Sequence, residues 1–223
     1  MEEETKAVKE VATTVGKAID AMAQAGQFFA KFFTGPLEQA SGIVEDRLRF
    51  MRLERYMRLK ERAVEILRQR EISGPTRAVP LSILVRILEF GSMEEDNDLQ
   101  DLWAQLLVTA GDAKSGIVVE PAFIGILQNL SSRDAAILDK IYSFPMEYEK
   151  LGLYTYALPE KLVTDNPTVE MNPPKDVCQS LGNLNRLGLI ASGMMWDAGS
   201  NYQLVSQTVL GRAFVTACRG TSS

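Results

Sequence analysis

Residues 175–218 read KDVCQSLGNLNRLGLIASGMMWDAGSNYQLVSQTVLGRAFVTAC, and the change of period inside this stretch decides the fold. Val177, Leu181, Leu184 and Leu187 recur at three- and four-residue steps, which predicts a helix over 174–187. Gly188 stops it. Leu189–Ser192 and Tyr202–Val205 then read as two short strands about the turn Asp197–Ser200. A last helix holds Val209, Leu210, Phe214 and Val215. Helix, hairpin and helix in this order give the sequence shape of a winged helix, with residues 132–143 as its first helix. The expectation is a winged-helix-like domain with a small β-hairpin over residues 131–223.

Working towards the N-terminus, residues 144–174 are Pro-rich and read as an irregular surface insertion. Ser131 with Asp134 starts the helix before them, and Pro121 opens another. Gly111 to Gly116 is a loop. Ser92 with Glu95 fits a capping box, and the helix after it begins acidic (Glu94, Glu95, Asp96, Asp98, Asp101) before turning apolar through Leu99, Leu102, Trp103, Leu106 and Leu107. Acidic groups favour a helix N-terminus. Glu95 and Asp98 share a face, but no second ligand cluster accompanies them, so no metal site is expected. Pro80 opens a further short helix. Residues 73–130 thus read as a central helical bundle.

Residues 1–72 read as a long helical hairpin. Its first arm, 5–33, carries an apolar stripe that includes Val8, Val15, Met22, Phe29 and Phe32. Three readings fit this stripe: packing against the next helix, a self-association seam, and insertion into a membrane interface. Gly35-Pro36 starts the second arm, which continues to about residue 70 with Ile43, Phe50, Met57 and Val64 spaced by sevens. About 35 helical residues make a rod of roughly 50 Å. A basic stripe of Arg47, Arg52, Arg55, Arg58 and Arg62 runs along it. It reads either as an anion-facing surface or as a solvated face with pairs such as Glu61–Arg58 and Glu65–Arg62. The acidic segment that follows is an available intramolecular partner.

Composition excludes more than it includes. The 223 residues are 46% hydrophobic and 24% charged, which excludes whole-chain disorder. There is no histidine, which removes Ser-His-Asp and Cys-His catalysis and imidazole-bound metal. Two cysteines, Cys178 and Cys218, are too few for a four-cysteine site and too far apart for a CxxC pair. No cofactor and no enzymatic activity are expected. The net charge of −5 argues against a polycationic nucleic-acid binder. No stretch reaches the 18 or so apolar residues of a spanning helix. The acidic start, Met1 to Glu4, does not suit a secretory leader. A cytoplasmic protein is expected, peripheral to the inner membrane if residues 5–33 engage it.

Several pieces together resemble the bacterial abortive-infection alpha family. They are GPLEQASGIVEDRLRFMRLERYMRL at 35–59, VPLSILVRILEFGSMEEDNDLQDLWAQLLVTAGD at 79–112, PAFIGILQNLSSRDAAILDKI at 121–141, and the closing LGNLNRLGLI and GRAFVTAC. The resemblance implies a role in defence against phage, in which an infected cell arrests or dies. It carries no catalytic residues with it. A non-enzymatic protein that binds a phage or host protein, or a second copy of itself, is the first expectation. A winged-helix DNA-binding regulator is the alternative. Against that alternative, the helix 174–187 offers Lys175 and Arg186 opposed by Asp176, and the wing has no Lys or Arg. Met194, Met195 and Trp196 are candidate wing contacts for a protein partner, or else core residues.

Overall fold

The computed structural model describes residues 20, 23–24, 26–32, 53–144, 152–161, 172–195 and 199–219. The chain is mainly helical and has one small three-stranded antiparallel sheet. It divides into two compact units, Met1–Ile124 and Gly125–Ser223. Most of the expected hairpin, including Val8, Val15, Met22, Arg47 and Arg52, lies outside the described residues, as does Trp196.

In the first unit, α1 (Leu53–Gln69), α2 (Leu81–Met93) and α3 (Asn97–Gly111) pack together. α1 buries Tyr56, Leu59, Ala63, Ile66 and Leu67, the single stripe of an amphipathic helix. α3 is buried from Leu106 through Gly111 without a break, so it is the central member. Trp103 fills the junction. A Cβ on Gly91 of α2 would sit 3.0 Å from that of Trp103 and 3.2 Å from Leu59 Cδ2, which is why glycine stands at this helix crossing.

Helix ends are set locally. α1 stops at Gln69, ahead of the Ser73-Gly74-Pro75 punctuation that the sequence suggests. Glu71 takes a left-handed conformation (φ 57°), while Ile72 N–H bonds Leu67 O (3.0 Å) and Glu71 N–H bonds Arg68 O (3.1 Å). This is the paired-bond helix stop that glycine usually makes. Asp96, not Ser92, caps α3: its carboxylate accepts from the Asp98 and Leu99 amides at 2.9 and 3.0 Å. Ser92 lies buried inside α2, and its hydroxyl donates to Glu89 O. The apolar face of α2 runs on to Gly91, so burial prolongs that helix past the expected cap. At the far end of α3, Arg77 donates to the carbonyls of Thr109, Ala110 and Ile117 at 3.1, 3.1 and 2.7 Å. A cation there complements the negative end of the helix.

α4 (Pro121–Leu127) spans the division between the units. In the second unit follow α5 (Ser132–Tyr142), β1 (Leu153–Tyr154), α6 (Lys175–Arg186), β2 (Ile190–Met195), β3 (Gly199–Gln207) and α7 (Val209–Arg219). Ser131 and Asp134 form the expected capping box of α5. Gly188 (φ 74°) ends α6, with Leu189 N–H on Leu184 O and Gly188 N–H on Asn185 O, both at 2.9 Å. The hairpin β2–β3 is longer than expected and shifts register between Ser192 and Gly193. β1, in the stretch expected to be irregular, pairs antiparallel with β3, giving the order β1-β3-β2. Two residues are too few for an alternating pattern, so the sequence carried no strand signal there.

The Tyr142 hydroxyl joins three segments. It donates to Leu189 O (2.6 Å) and accepts from Thr208 N–H (2.9 Å), while the Thr208 hydroxyl donates to Gly188 O (2.7 Å) and accepts from Gly211 N–H (2.9 Å). Ile137, Ile141, Leu181, Leu184, Ile190, Val205 and Phe214 are buried in the same unit.

Candidate interaction surfaces

The arginines of α1 face the acidic start of α3. Arg55 donates to Met93 O (2.9 Å) and to Glu95 (2.6 Å). Arg58 reaches Asn97 Oδ1 and Glu54, each at 3.0 Å. Arg62 bonds Asp101 and the backbone and side chain of Asn97. The side chains of Arg55 and Arg62 keep 17% and 20% of their surface, and their guanidinia are bonded within the chain. The local pairs expected on α1 give way to others: Arg58 takes Glu54 and Glu65 takes Arg68. An arginine three or four residues along a helix can reach either neighbour, and the α3 acids decide the choice for Arg62.

Of the N-terminal stripe, Phe29 and Phe32 are described, and both are fully buried. Phe29 packs on Tyr56 with ring centroids 4.8 Å apart, and Phe32 O accepts from Val79 N–H at 2.9 Å. The ring of Phe32 lies against the last turn of α3, where a Cβ on Gly111 would fall 2.7 Å from it. Burial also pushes the Tyr56 phenol far above its ordinary pKa. No described helix is long and apolar enough to cross a membrane.

In the second unit the arginines are likewise engaged. Arg186 folds back on Asn183 Oδ1 (3.2 and 2.7 Å), Arg219 pairs with Asp139, Arg212 bonds Gln207, and Arg133 pairs with Asp176 at 3.3 Å. The start of α7 presents apolar groups instead: Val209 is 91% exposed and Leu210 39%. Met194 and Met195 fall within β2.

A polar cleft opens between the N-terminus of α5 and α6. It holds about 440 Å³ and is lined by Ser131, Arg133, Asp134, Asp176, Ser180 and Asn183, among others. Asp134 is buried, and its carboxylate accepts from Ser131 N–H and from Asn183 Nδ2, both at 2.9 Å. Sequence reasoning read Ser131 and Asp134 as a helix start and missed the cleft, because its walls come from segments some forty residues apart. Among the described residues no three His, Cys, Asp or Glu side chains cluster as metal ligands. Cys218 is buried, which pushes its thiol pKa upward.

These features define a mainly helical protein whose described arginines are mostly bound within its own chain. The model of the abortive infection alpha family matches residues 54–218, and the chain belongs to that family. No curated protein and no solved structure matches it significantly.

Proposed function

We propose that this chain is a non-enzymatic abortive-infection protein that acts by binding another protein. The family match over residues 54–218 carries the defence role. The binding mode rests on the exposed Val209 and Leu210 at the head of α7, while the arginines of the same unit are already tied to their own chain. Exposed apolar groups suit a protein contact, whereas duplex DNA asks for several cations free to meet phosphates. The sheet order β1-β3-β2, framed by α5 and α6, supports a winged-helix architecture adapted to this use. The burial of Phe29 and Phe32 supports a resting protein in which this end of the N-terminal stripe is packed, so that self-assembly or membrane contact through these two rings would require their release.

The test is phage plating on bacteria that express the full chain or its Val209→Glu, Leu210→Glu variant. Acidic residues in the first turn of α7 favour the helix, and an unchanged melting temperature is the control that the variant keeps its fold, since Leu210 is only 39% exposed. The reading expects fewer plaques with the natural chain and restored plaques with the variant. Undiminished protection by the variant would refute this surface. Binding of duplex DNA by the full chain tighter than about 1 μM near 150 mM salt, beyond the usual non-specific range, would instead establish a regulator.

A further inference from the structure

We propose that the cleft between α5 and α6 receives a basic side chain, a lysine ammonium or an arginine guanidinium, from the partner protein. This rests on the protein-binding reading above and names the chemistry of one contact. A bare helix N-terminus would favour an anion. Here Asp134 already supplies that anion, since its carboxylate closes the capping box on Ser131. Asp176 adds a second negative charge, and Arg133 is the one cation among the lining residues. An entering phosphate or carboxylate would face two carboxylates, whereas an entering cation finds them waiting.

A second observation points the same way. Ser180 is only 6% exposed and lines the cleft, and among the described residues its hydroxyl makes no hydrogen bond; the oxygen itself keeps contact with solvent on the cleft side. An otherwise covered side chain thus turns its one polar atom into the cleft, where an entering N–H donor can take the place of water. Asp176 is free to exchange partners, because its ion pair with Arg133 is more than half exposed on both sides and such surface pairs hold weakly. The named walls are serine, arginine, aspartate and asparagine, so recognition here is by charge and hydrogen bonds. Affinity for an isolated basic group is therefore weak, and the remainder of the partner supplies the rest.

The experiment is an NMR titration of the isotopically labelled full chain with acetyl-lysine methylamide and acetyl-arginine methylamide. Acetyl-norleucine methylamide, spermidine and inorganic phosphate are the comparison probes. The basic amino-acid probes should shift the amides of Asp134, Gln179 and Ser180 saturably, and norleucine and phosphate should not. Asp176→Asn should weaken the response about fivefold, and Ser180→Ala about tenfold, the loss of a hydrogen bond to a charged group. Asp176 lies on the surface, so its variant does not depend on repacking the core. Equal shifts with norleucine, preference for phosphate, or no saturable shift would overturn the cleft assignment. Spermidine binding tighter than either amino-acid probe would overturn the protein source. Failure of the wider protein-binding reading shows separately, as undiminished phage protection by the Val209, Leu210 variant.

Discussion

Replacing Phe32 by alanine tests whether the N-terminal segment is a structural part of the first unit. The ring is fully buried, touches Phe28 edge-on at 5.6 Å, and presses on the last turn of α3 at Gly111. Transfer of a Phe side chain out of water is worth about 1.5–3 kcal/mol. The unfilled cavity adds to it, so Phe32→Ala should cost about 3–5 kcal/mol. A Cβ on Gly111 would meet the ring at 2.7 and 2.8 Å, so Gly111→Ala alone should cost about 1–3 kcal/mol by overpacking. In the Phe32→Ala background that penalty should largely vanish, leaving a coupling of at least about 1 kcal/mol. Urea unfolding of the four proteins measures this, with Trp103 fluorescence read in a Trp196→Phe background. Exchange of the Val79 amide, which bonds Phe32 O, reports the same contact locally. A loss below about 1 kcal/mol for Phe32→Ala, or additivity within about 0.5 kcal/mol, would refute the packed arrangement.

Tyr142→Phe should destabilise the second unit by about 2–3 kcal/mol, since it leaves Leu189 O and Thr208 N–H without their shared partner; a loss under about 0.5 kcal/mol in urea unfolding would contradict this. Glu71→Gly should stabilise the chain by roughly 1 kcal/mol, because glycine bears the left-handed conformation at the end of α1 without the Cβ penalty; a fall in melting temperature would count against it. Hydrogen bonds from Arg68, then Gln69, hold the exposed Glu65 carboxyl down at about 2. Because the folded value lies below the unfolded one, its contribution is present above the ordinary glutamate range and disappears as pH falls through about 2. A carbon-detected NMR titration should place its midpoint there, and a midpoint near the ordinary value of about 4.3 would refute the pairing.

Features built from neighbours in sequence were legible, and features built across the chain were less so. The capping box at Ser131 and Asp134, the helix 174–187 and its stop at Gly188 each need fewer than a dozen consecutive residues, and the sequence contains the whole of each signal. The meeting of Arg55 and Arg62 with an acidic segment was foreseeable from charge alone, because the basic and acidic runs are adjacent in the chain. Ser92 misled for a tertiary reason: it satisfies the local rule for a cap, but burial carries α2 through it. β1 exists through its pairing to residues 204 and 205 and has no pattern of its own. The cleft escaped notice for the same reason. Ser180 looks like any helical serine until α5 is laid beside it, and only then is its side chain seen to be largely covered and to line a cleft.

The crowding around Gly211 bears on how this chain can diverge. A methyl group there would lie 1.9 Å from the Tyr142 hydroxyl and 2.2 Å from the backbone oxygen of Leu189. Shortening the tyrosine relieves the first clash but not the second, because a carbonyl cannot be trimmed by mutation. Position 211 therefore has no single compensating substitution. Lineages can trade residues at most core sites through paired changes, but here that route is shut while the junction of α6, β2 and α7 keeps its shape. A descendant sequence with any other residue at this point must have rebuilt the path of the chain around Leu189. Glycine 211 thus serves as a marker in related sequences, separating those that share this junction from those that share only the order of helices and strands.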